Sequence, residues 1–300
     1  MGVVGSIGWI GIGKMGLPIC VRLKAAGFHV TAFCRSAEAE AAATAHGFAV
    51  ARTIAQAAQG AEIVVSAISD DRALLDIVLG AGGLKEALSP PQIYVDMSTV
   101  SPDASARVAA ALASNQIAYL RAPVSGSTVA ATQGALTAMV SGPAATFAEL
   151  ASFFAAFTKK AFIVGAAEEA RYLKLSINAM VGATSALMGE TLALARRGGL
   201  DIQTIMDVVV ESAVASPLVQ YKRAAVTSGD YTAAFSAAQM LKDFDLIAQA
   251  AVATSCDMPL ISSIRNLYRD AVAQGRGEQD FFVLTAERPL PPGVSGKSSK

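Results

Sequence analysis

Three glycines near the start of the chain have the spacing of a phosphate-binding turn. Gly11, Gly13 and Gly16 stand between an apolar segment, Ser6–Ile10, and a segment with helical character, Leu17–Ala26. Such a turn lets a pyrophosphate approach the backbone, and the N-terminus of the following helix attracts its charge. A glycine-rich turn without ligand is the alternative, but the strand–turn–helix context favours a dinucleotide site. We assign to it the six residues of the turn, Gly11, Ile12, Gly13, Lys14, Met15 and Gly16.

The end of the second strand indicates which dinucleotide is bound. Proteins that bind NAD usually place Asp or Glu there, to hold the ribose 2′-hydroxyl. This chain has Arg35 and Ser36 instead, which could bind a 2′-phosphate by charge and by hydrogen bond. The alternative is an ordinary surface arginine. We therefore predict NADP rather than NAD, disfavour a methyltransferase, which would need an acid here, and include Ser69 in the cofactor site.

Lys174 and Asn178 are spaced to lie on one face of a helix. The surrounding residues are mostly apolar, and partial desolvation favours the uncharged amine of a lysine. Such an amine can exchange a proton with an alcohol oxygen, and a neighbouring amide can orient it. The alternative is a lysine whose charged end reaches solvent along a polar helix face.

Two segments rich in Ser and Thr each follow a predicted strand. They are Asp96–Pro102 and Ala122–Ser127. Ligands bind at the carboxyl edge of parallel sheets, where both segments would open. Hydroxyl and backbone N–H donors there suit a carboxylate. Ordinary turn and capping chemistry is the alternative, and Ser101 is well placed as a helix N-cap.

The sequence pattern of the first half predicts strands that alternate with helices. These elements would position the residues named above. The apolar segments expected to be strands are Ser6–Ile10, Val30–Phe33, Glu62–Ile68, Ile93–Met97, Ile117–Leu120, Leu136–Val140 and Phe162–Val164. With helices such as Ser36–His46 and Ser101–Ser114 between them, they indicate a parallel, doubly wound sheet.

The second half is predicted to be helical. A long helix over Ala167–Arg197, ended by Gly198 and Gly199, precedes four more helical segments: Ile202–Ser212, Pro217–Thr227, Ala237–Ser255 and Leu260–Gln274. We expect a Rossmann domain over 1–165, a helical domain for substrate and dimer contacts over 166–288, and a loose tail over 289–300.

The composition excludes several classes of protein. With 53% hydrophobic and 16% charged residues among 300, the chain is not expected to be disordered. Its net charge of zero disfavours nucleic-acid binding. Three scattered cysteines and two histidines indicate neither a disulfide framework nor a metal site, and they suit a reducing cytoplasm.

Membrane attachment is likewise not expected. The long uncharged segment Ala122–Ala148 is interrupted by Ser, Thr, Gln, Gly and Pro. The N-terminus lacks the basic flank of a signal peptide. Met1–Ser6 matches a myristoylation pattern, to which we give little weight because it leads into a core strand.

The motifs, in their order along the chain, resemble those of the β-hydroxyacid dehydrogenase family. The resemblance runs from about Ser6 to Phe282 and joins the glycine turn, Asp96–Thr99, Ala122–Gly126 and Lys174-x-x-x-Asn178. The family includes 3-hydroxyisobutyrate dehydrogenase, tartronate semialdehyde reductase and glyoxylate/succinic semialdehyde reductases. It implies reversible oxidation of a 3-hydroxy acid by a nicotinamide cofactor, in a homodimer or homotetramer.

The resemblance also implies a role for each motif residue. Lys174 would be the acid/base and Asn178 its helper, while Ser125 and Gly126 would hold the substrate carboxylate and Ser127 would also contact the substrate. Thr99 would lie near both nicotinamide and substrate. Lys242 would reach over the cofactor; the alternative is that Lys242 and Asp243 form a solvated charge pair.

Three departures from the family pattern involve four positions. Glu168 and Ala170 stand where the family often has glycines, Arg121 where it commonly has Asp, and Ser127 where a second Gly is usual. We expect Arg121 and Glu168 to form ion pairs at the solvent surface. A sharper hypothesis is that Glu168 or Glu169 accepts the ammonium of a β-hydroxy amino acid, such as serine, threonine or phenylserine.

Other functions remain open at this point. An imine or semialdehyde reductase on the same scaffold is one, although imine reductases usually carry another residue in place of Lys174. A 6-phosphogluconate dehydrogenase would need a much larger helical domain. A non-catalytic NADP-binding protein would need the glycine turn, but not Lys174, Asn178 and the serine-rich segment together.

Overall fold

A computed structural model of the chain describes residues 5–286. It separates into two compact units, whose boundary falls inside one long helix, between Ile177 and Asn178. Two predictions reach beyond the described residues: the loose tail over 289–300, and the myristoylation pattern, of which residues 1–4 are outside.

The first unit is built on a nine-stranded sheet. Its strands are β1 (Ser6–Ile10), β2 (His29–Phe33), β3 (Ala49–Ala51), β4 (Ile63–Ser66), β5 (Ile93–Asp96), β6 (Ala118–Arg121), β7 (Val124–Ser125), β8 (Leu136–Ser141) and β9 (Thr158–Gly165). They follow the order β3-β2-β1-β4-β5-β6-β8-β7, and β9 pairs with β8.

Within residues 5–177, nine helices connect the strands. They are α1 (Gly16–Ala25), α2 (Ala37–Ala45), α3 (Ile54–Ala58), α4 (Asp71–Leu79), α5 (Leu84–Ala87), α6 (Pro102–Ala113), α7 (Thr128–Thr132), α8 (Ala144–Glu149) and α9 (Ala151–Ala155). The long helix α10 (Glu169–Arg197) begins in this unit and continues into the second.

Both faces of the sheet are buried, as the doubly wound prediction requires. Along β1, Ile7 and Trp9 belong to one hydrophobic core and Ile10 to the other. The same alternation occurs on β5, where Val95 and Tyr94 lie in opposite cores. Successive side chains of a strand point to opposite faces, so a strand apolar throughout must be covered on both sides. The predicted Rossmann architecture is confirmed.

The sheet is not parallel throughout, which corrects the prediction. From β3 to β6 all neighbouring strands are parallel, but β8 runs antiparallel to β6 and β7, and β9 runs parallel to β8. The connection from β6 to β8 contains the two-residue strand β7 and a single helix, α7, of five residues. At 1.5 Å per residue it spans roughly 7.5 Å, too short to return the chain along the sheet for a parallel pairing.

Side-chain caps fix where several helices begin. Ser101 accepts a hydrogen bond from the backbone of Ala104 at the start of α6, which confirms its predicted role as N-cap. Asp70 caps α4 and Thr53 caps α3 in the same way. Neither α3 nor α4 was expected from the sequence, and nor was the three-residue strand β3.

The second unit is helical. After Asn178, α10 is followed by α11 (Ile202–Glu211), α12 (Pro217–Ser228), α13 (Ala237–Ala253) and α14 (Pro259–Ala271), then by a π-helical turn (Val272–Arg276) and a 3-10 helix (Phe281–Thr285). Met206, Phe244, Tyr268 and Phe282 are fully buried in its core. No helix within residues 5–286 has the length and apolarity to cross a membrane.

Candidate cofactor and catalytic site

The glycine turn joins β1 to α1, and two of its glycines are required by the protein itself. Gly11 has a φ of +95°, and a Cβ there would lie 2.4 Å from the carbonyl oxygen of Ala67. A Cβ on Gly16 would lie 2.6 Å from the carbonyl oxygen of Gly11. Both approaches are closer than real Cβ atoms show, so helix and strand can pack here only with glycine.

Gly13 differs from the other two because the fold itself does not explain it. It is exposed, and a Cβ there would meet no described atom within 4 Å. Helix α1 behind it starts without a side-chain cap and without an acidic residue in its first turn. An open glycine before uncapped N–H donors is the arrangement that a pyrophosphate needs. The turn therefore fits the predicted dinucleotide.

The predicted ribose-binding residues follow the neighbouring strand. Arg35 is exposed two residues after β2 ends, and no carboxylate among residues 5–286 forms an ion pair with it. Ser36 caps α2, accepting from the backbone N–H of Ala39 at 3.2 Å, so its hydroxyl proton is still available to donate. Since β2 is the parallel neighbour of β1, Arg35 and the glycine turn open at the same sheet edge.

Ser69 and Thr99 lie in the loops after β4 and β5, at the same edge. Ser69 is exposed, and its hydroxyl donates to Asp70 at 2.7 Å. Thr99 is half-buried and follows Ser98, whose hydroxyl donates to Asp96 at 2.6 Å and accepts from the backbone N–H of Ile68 at 3.0 Å. The loop that carries Thr99 is thus tied to both β4 and β5.

Arg171 is the residue in this region that motif reasoning missed. It is 1% exposed, in the first turn of α10, and it contacts the carboxylate of Asp96, the carbonyl oxygen of Ser98 and the hydroxyl of Tyr119. An arginine is rarely buried unless it is paired. The only sequence signal is its place three residues before Lys174, on the same helix face.

The segment predicted to bind a carboxylate is β7 with the start of α7. Ser125 and Ser127 are half-buried, and Gly126 between them is exposed with a φ of +140°. A Cβ on Gly126 would lie 2.7 Å from a methyl group of Leu136. Ser127 caps α7 by accepting from Ala130, so it has the structural role that was the alternative at this position. Its contact with substrate stays a prediction.

Lys174 and Asn178 lie one turn apart on α10, Lys174 half-buried and Asn178 buried. The amide of Asn178 donates to Asp243 Oδ2 at 2.6 Å. Lys242 Nζ lies 2.9 Å from Asp243 Oδ1, and the Asp243 side chain is fully buried. Within the second unit, the carboxylate of Asp243 thus contacts two predicted site residues, Asn178 and Lys242. Because that carboxylate is buried, the alternative of a solvated charge pair is wrong for Asp243.

Arg121 and Glu168 pair with each other, and not at the solvent surface as expected. Both Nε, at 3.0 Å, and Nη2 of Arg121 donate to Oε1 of Glu168, and the two side chains are 7% and 13% exposed. The guanidinium also lies over the ring of Tyr119, 4.4 Å from its centre. Two of the departures from the family pattern are therefore one buried ion pair, and the charge of Glu168 is compensated within the protein.

We expect Glu168→Gln to lower the free energy of unfolding by about 3 kcal/mol, because it leaves the buried Arg121 without a counter-charge. Urea denaturation measures this. The double variant Arg121→Gln/Glu168→Gln is the control, and it should be less destabilised than the sum of the two single variants. Additive losses in the double variant would show that the two groups do not interact.

We looked for a set of metal-binding side chains within residues 5–286. Across the part of the chain that the structure describes, no three His, Cys, Asp or Glu side chains gather closely enough to hold a metal ion.

Two family models match the chain, one in each half of the sequence. Residues 6–165 match the family model of the NAD-binding domain of 6-phosphogluconate dehydrogenase. Residues 169–286 match the model of the NAD-binding region of NADP-dependent 3-hydroxyisobutyrate dehydrogenase. The NAD-dependent L-serine dehydrogenase of Pseudomonas aeruginosa is 30% identical over 93% of this chain and 96% of its own length. The chain belongs to the β-hydroxyacid dehydrogenase family.

The chain is also similar to a nuclear factor and to solved structures of 3-hydroxyisobutyrate dehydrogenases. The cytokine-like nuclear factor N-PAC of Mus musculus is 30% identical over 93% of this chain, and the chain spans about half, 50%, of that protein's length. Crystal structures of 3-hydroxyisobutyrate dehydrogenases are similar over nearly the whole fold. That from Salmonella typhimurium has a TM-score of 0.86 at 26% identity, covering 94% of this chain and 99% of the other.

One such structure was solved with a small molecule. The 3-hydroxyisobutyrate dehydrogenase of Mycobacterium tuberculosis, with L-serine, has a TM-score of 0.84 at 26% identity and covers 94% of this chain and 98% of the other. Sequence comparisons therefore show the family, and structure comparisons independently show its fold.

Proposed function

We propose that this protein is an NADP-dependent oxidoreductase that transfers a hydride between a 3-hydroxy acid and the nicotinamide. One observation carries the proposal. A glycine turn left open at Gly13 and the half-buried residue Lys174 occur in the same unit of a chain of this family. The first provides for the cofactor, and the second for the proton transfer that must accompany alcohol oxidation.

The cofactor would be held by the glycine turn and the loops beside it. Backbone N–H groups at the start of α1 would bind the pyrophosphate, and Arg35 with Ser36 would bind the 2′-phosphate. Ser69, Thr99 and Lys242 complete the proposed contacts. When bound, the nicotinamide supplies the acceptor or donor of the hydride.

The protein's own part in the reaction is to bind, orient and move a proton. The Ser125 hydroxyl and the Gly126 N–H would hold the substrate carboxylate. The Lys174 Nζ would take the hydroxyl proton during oxidation and return it during reduction. Asn178, whose amide is fixed by Asp243, would orient the reacting groups. Holding these groups in one geometry lowers the entropic part of the barrier.

Serine-like β-hydroxy amino acids are the substrate class we favour within the 3-hydroxy acids. The P. aeruginosa relative is named for L-serine, and the M. tuberculosis structure was solved with it. Glu169 is an exposed carboxylate whose pKa is lowered by hydrogen bonds from its own backbone N–H and that of Ala167. It remains available for an ammonium, whereas Glu168 is already paired with Arg121.

Reduced-nicotinamide absorbance tests the proposal directly. The enzyme is mixed with NADP⁺ and a panel of alcohols: 3-hydroxyisobutyrate, glycerate, 4-hydroxybutyrate, and both enantiomers of serine, threonine and phenylserine, with NAD⁺ in parallel. We expect turnover with one of these groups, and fastest with a serine-like member. The reverse reaction is followed with glyoxylate and succinic semialdehyde and NADPH.

The pattern of activity separates this proposal from its alternatives. Turnover only in the reducing direction would support a semialdehyde or imine reductase. NADPH binding with no turnover would support the alternative of a non-catalytic NADP-binding protein. Equal kinetics of wild type and Glu169→Gln on serine would remove the ammonium role of Glu169.

Asp243→Asn should lower kcat about tenfold, because Lys242 loses its counter-charge and a charge-assisted hydrogen bond to Asn178, worth about 1.5 kcal/mol, is weakened. Steady-state kinetics on the best panel substrate measure this. Asp245→Asn is the matched control and should leave kcat unchanged, since Asp245 lies on the same helix as Asp243 but pairs with the partly exposed Arg265 of α14. Equal effects of the two substitutions would contradict the role of Asp243.

We further propose that the protein is a homodimer. Met180, Leu187 and Leu194 recur every seven residues on α10 and are 64%, 64% and 75% exposed. An exposed apolar stripe of this kind is typical of a helix covered by another chain. Light scattering on a size-exclusion column measures the molar mass, and a monomer at micromolar concentration would contradict this.

A further inference from the structure

Arg171 is held by the first unit through every nitrogen of its guanidinium. Nη2 donates to Asp96 Oδ2 at 2.5 Å and to the Tyr119 hydroxyl at 2.9 Å. Nη1 donates to the carbonyl oxygen of Ser98 at 2.7 Å, and Nε donates to Ser105 Oγ at 3.2 Å. These partners belong to β5 and its following loop, to β6 and to α6. A single side chain on α10 is therefore fixed against three other elements.

The network continues beyond Asp96. Its other oxygen, Oδ1, accepts hydrogen bonds from the hydroxyls of Ser66 and Ser98, each at 2.6 Å. Ser66 Oγ in turn lies 2.6 Å from the hydroxyl of Tyr94. Every member is buried, and a buried polar network whose members are all paired has one geometry, since any alternative leaves a group unsatisfied.

This network reaches two places that matter for the proposed reaction. Ser98, whose carbonyl accepts from Arg171, directly precedes Thr99, which is assigned beside the nicotinamide. Arg171 also precedes Lys174 by three residues on the same helix face. The rise between them is roughly 4.5 Å along the helix axis. Arg171 thus connects the loop of Thr99 with the helical turn of Lys174.

Further contacts hold the same turn of α10. Ser141 Oγ, at the end of β8, donates to the carbonyl of Ala167 at 2.7 Å and accepts from the N–H of Ala170 at 3.3 Å. Arg121, at the end of β6, pairs with Glu168. The start of α10 is therefore attached to the carboxyl ends of three strands, and Arg171 is its deepest attachment.

We propose that Arg171 is a positioning residue, which sets Lys174 and the Thr99 loop in the mutual geometry that hydride and proton transfer require. This inference rests on the proposed function. An arginine is needed because its planar fork addresses four partners at once, which the single ammonium of a lysine cannot do. A displacement of about 1 Å at a catalytic group can cost about a hundredfold in rate.

Two substitutions in the network, with one matched control outside it, test the inference. Arg171→Lys keeps the charge but loses the fork, and Tyr119→Phe removes a single hydroxyl contact with the guanidinium. The control is Lys222→Met. Lys222 forms a buried ion pair with Asp280 in the second unit, at 2.7 Å to each carboxylate oxygen, and none of the motif residues takes part. It costs stability without touching the proposed machinery.

The measurements are kcat and KM on the best panel substrate, the NADPH dissociation constant, the melting temperature, and the primary isotope effect on oxidation of that substrate deuterated at the carbon that bears the hydroxyl. We expect Arg171→Lys to lower kcat about thirtyfold and Tyr119→Phe about threefold, with a larger isotope effect, because the chemical step slows. KM and the NADPH dissociation constant should stay within threefold. Lys222→Met should lower the melting temperature but leave kcat within twofold when assayed well below that temperature.

The outcomes distinguish this inference from the function on which it rests. If Lys174→Ala abolishes turnover while Arg171→Lys keeps kcat within twofold, the positioning role is wrong and the proposed function stands. If the control lowers kcat as much as Arg171→Lys does, Arg171 is merely structural. Turnover of no panel substrate by the wild type would overturn the proposed function, and the inference with it.

Discussion

Lys174→Ala should lower kcat about a thousandfold, with the NADPH dissociation constant unchanged within threefold. Loss of a general acid/base costs between about a hundredfold and ten-thousandfold in rate. The cofactor's phosphates, in contrast, are assigned to the glycine turn and to Arg35, which the substitution leaves intact. Single-turnover absorbance measures the rate, and quenching of protein fluorescence by NADPH measures the binding.

A second lysine provides the control for this experiment. Lys159 is exposed on β9 in the same unit, and Lys159→Ala removes an equal charge without touching a motif. Its kcat should equal that of the wild type. If Lys174→Ala retains near-wild-type turnover, Lys174 is a surface lysine and another group must transfer the proton.

Local patterns sufficed to predict much of this fold. Strands β1, β4 and β5 are short apolar runs bounded by turns, and their buried positions alternate between the two cores. Helix α10 is 29 residues long and glycines follow directly after its end. Its length and its glycine stop are local signals that predict a helix from the sequence alone. The glycine turn was equally accessible, since its spacing between a predicted strand and a predicted helix is a local signal.

What the sequence could not show are the pairings between distant residues. Asp96 and Arg171 are 75 positions apart, and Arg121 and Glu168 are 47 apart. Each looked like an isolated charge, so the expectation for Arg121 and Glu168 was a solvent-exposed ion pair. Whether a charged side chain is buried depends on which helix turn packs against the end of its strand. That packing is set by the order of the strands in the sheet and not by local periodicity.

The same limit applies to Asp243 and to the antiparallel strand β8. Asp243 was noticed only as the neighbour of Lys242, but its buried carboxylate also binds Asn178, 65 positions away. The antiparallel direction of β8 follows from a short connection that includes β7. That strand has only two residues, too few to leave a sequence pattern. Site residues of this kind become visible only when the chain is folded, because their signal is a shared partner rather than a motif.

Arg35→Ala should raise the NADPH dissociation constant about thirtyfold while leaving that for NADH within threefold. A charge-assisted hydrogen bond to the 2′-phosphate is worth about 2 kcal/mol, which corresponds to about thirtyfold in affinity. NADH lacks that phosphate and so gains nothing from the guanidinium. Fluorescence titration with each reduced cofactor measures both constants.

The decision between cofactors depends on this one position, because the relative from P. aeruginosa is named as NAD-dependent while this chain has no acid at the strand end. The control is Arg107→Ala, an exposed arginine on α6, which should change neither constant and so corrects for nonspecific attraction of the more highly charged cofactor. If Arg35→Ala weakens NADPH and NADH equally, Arg35 contacts a part common to both, and the preference for NADP must be abandoned. If only NADPH weakens, an uncompensated guanidinium after β2 suffices to select the phosphorylated ribose.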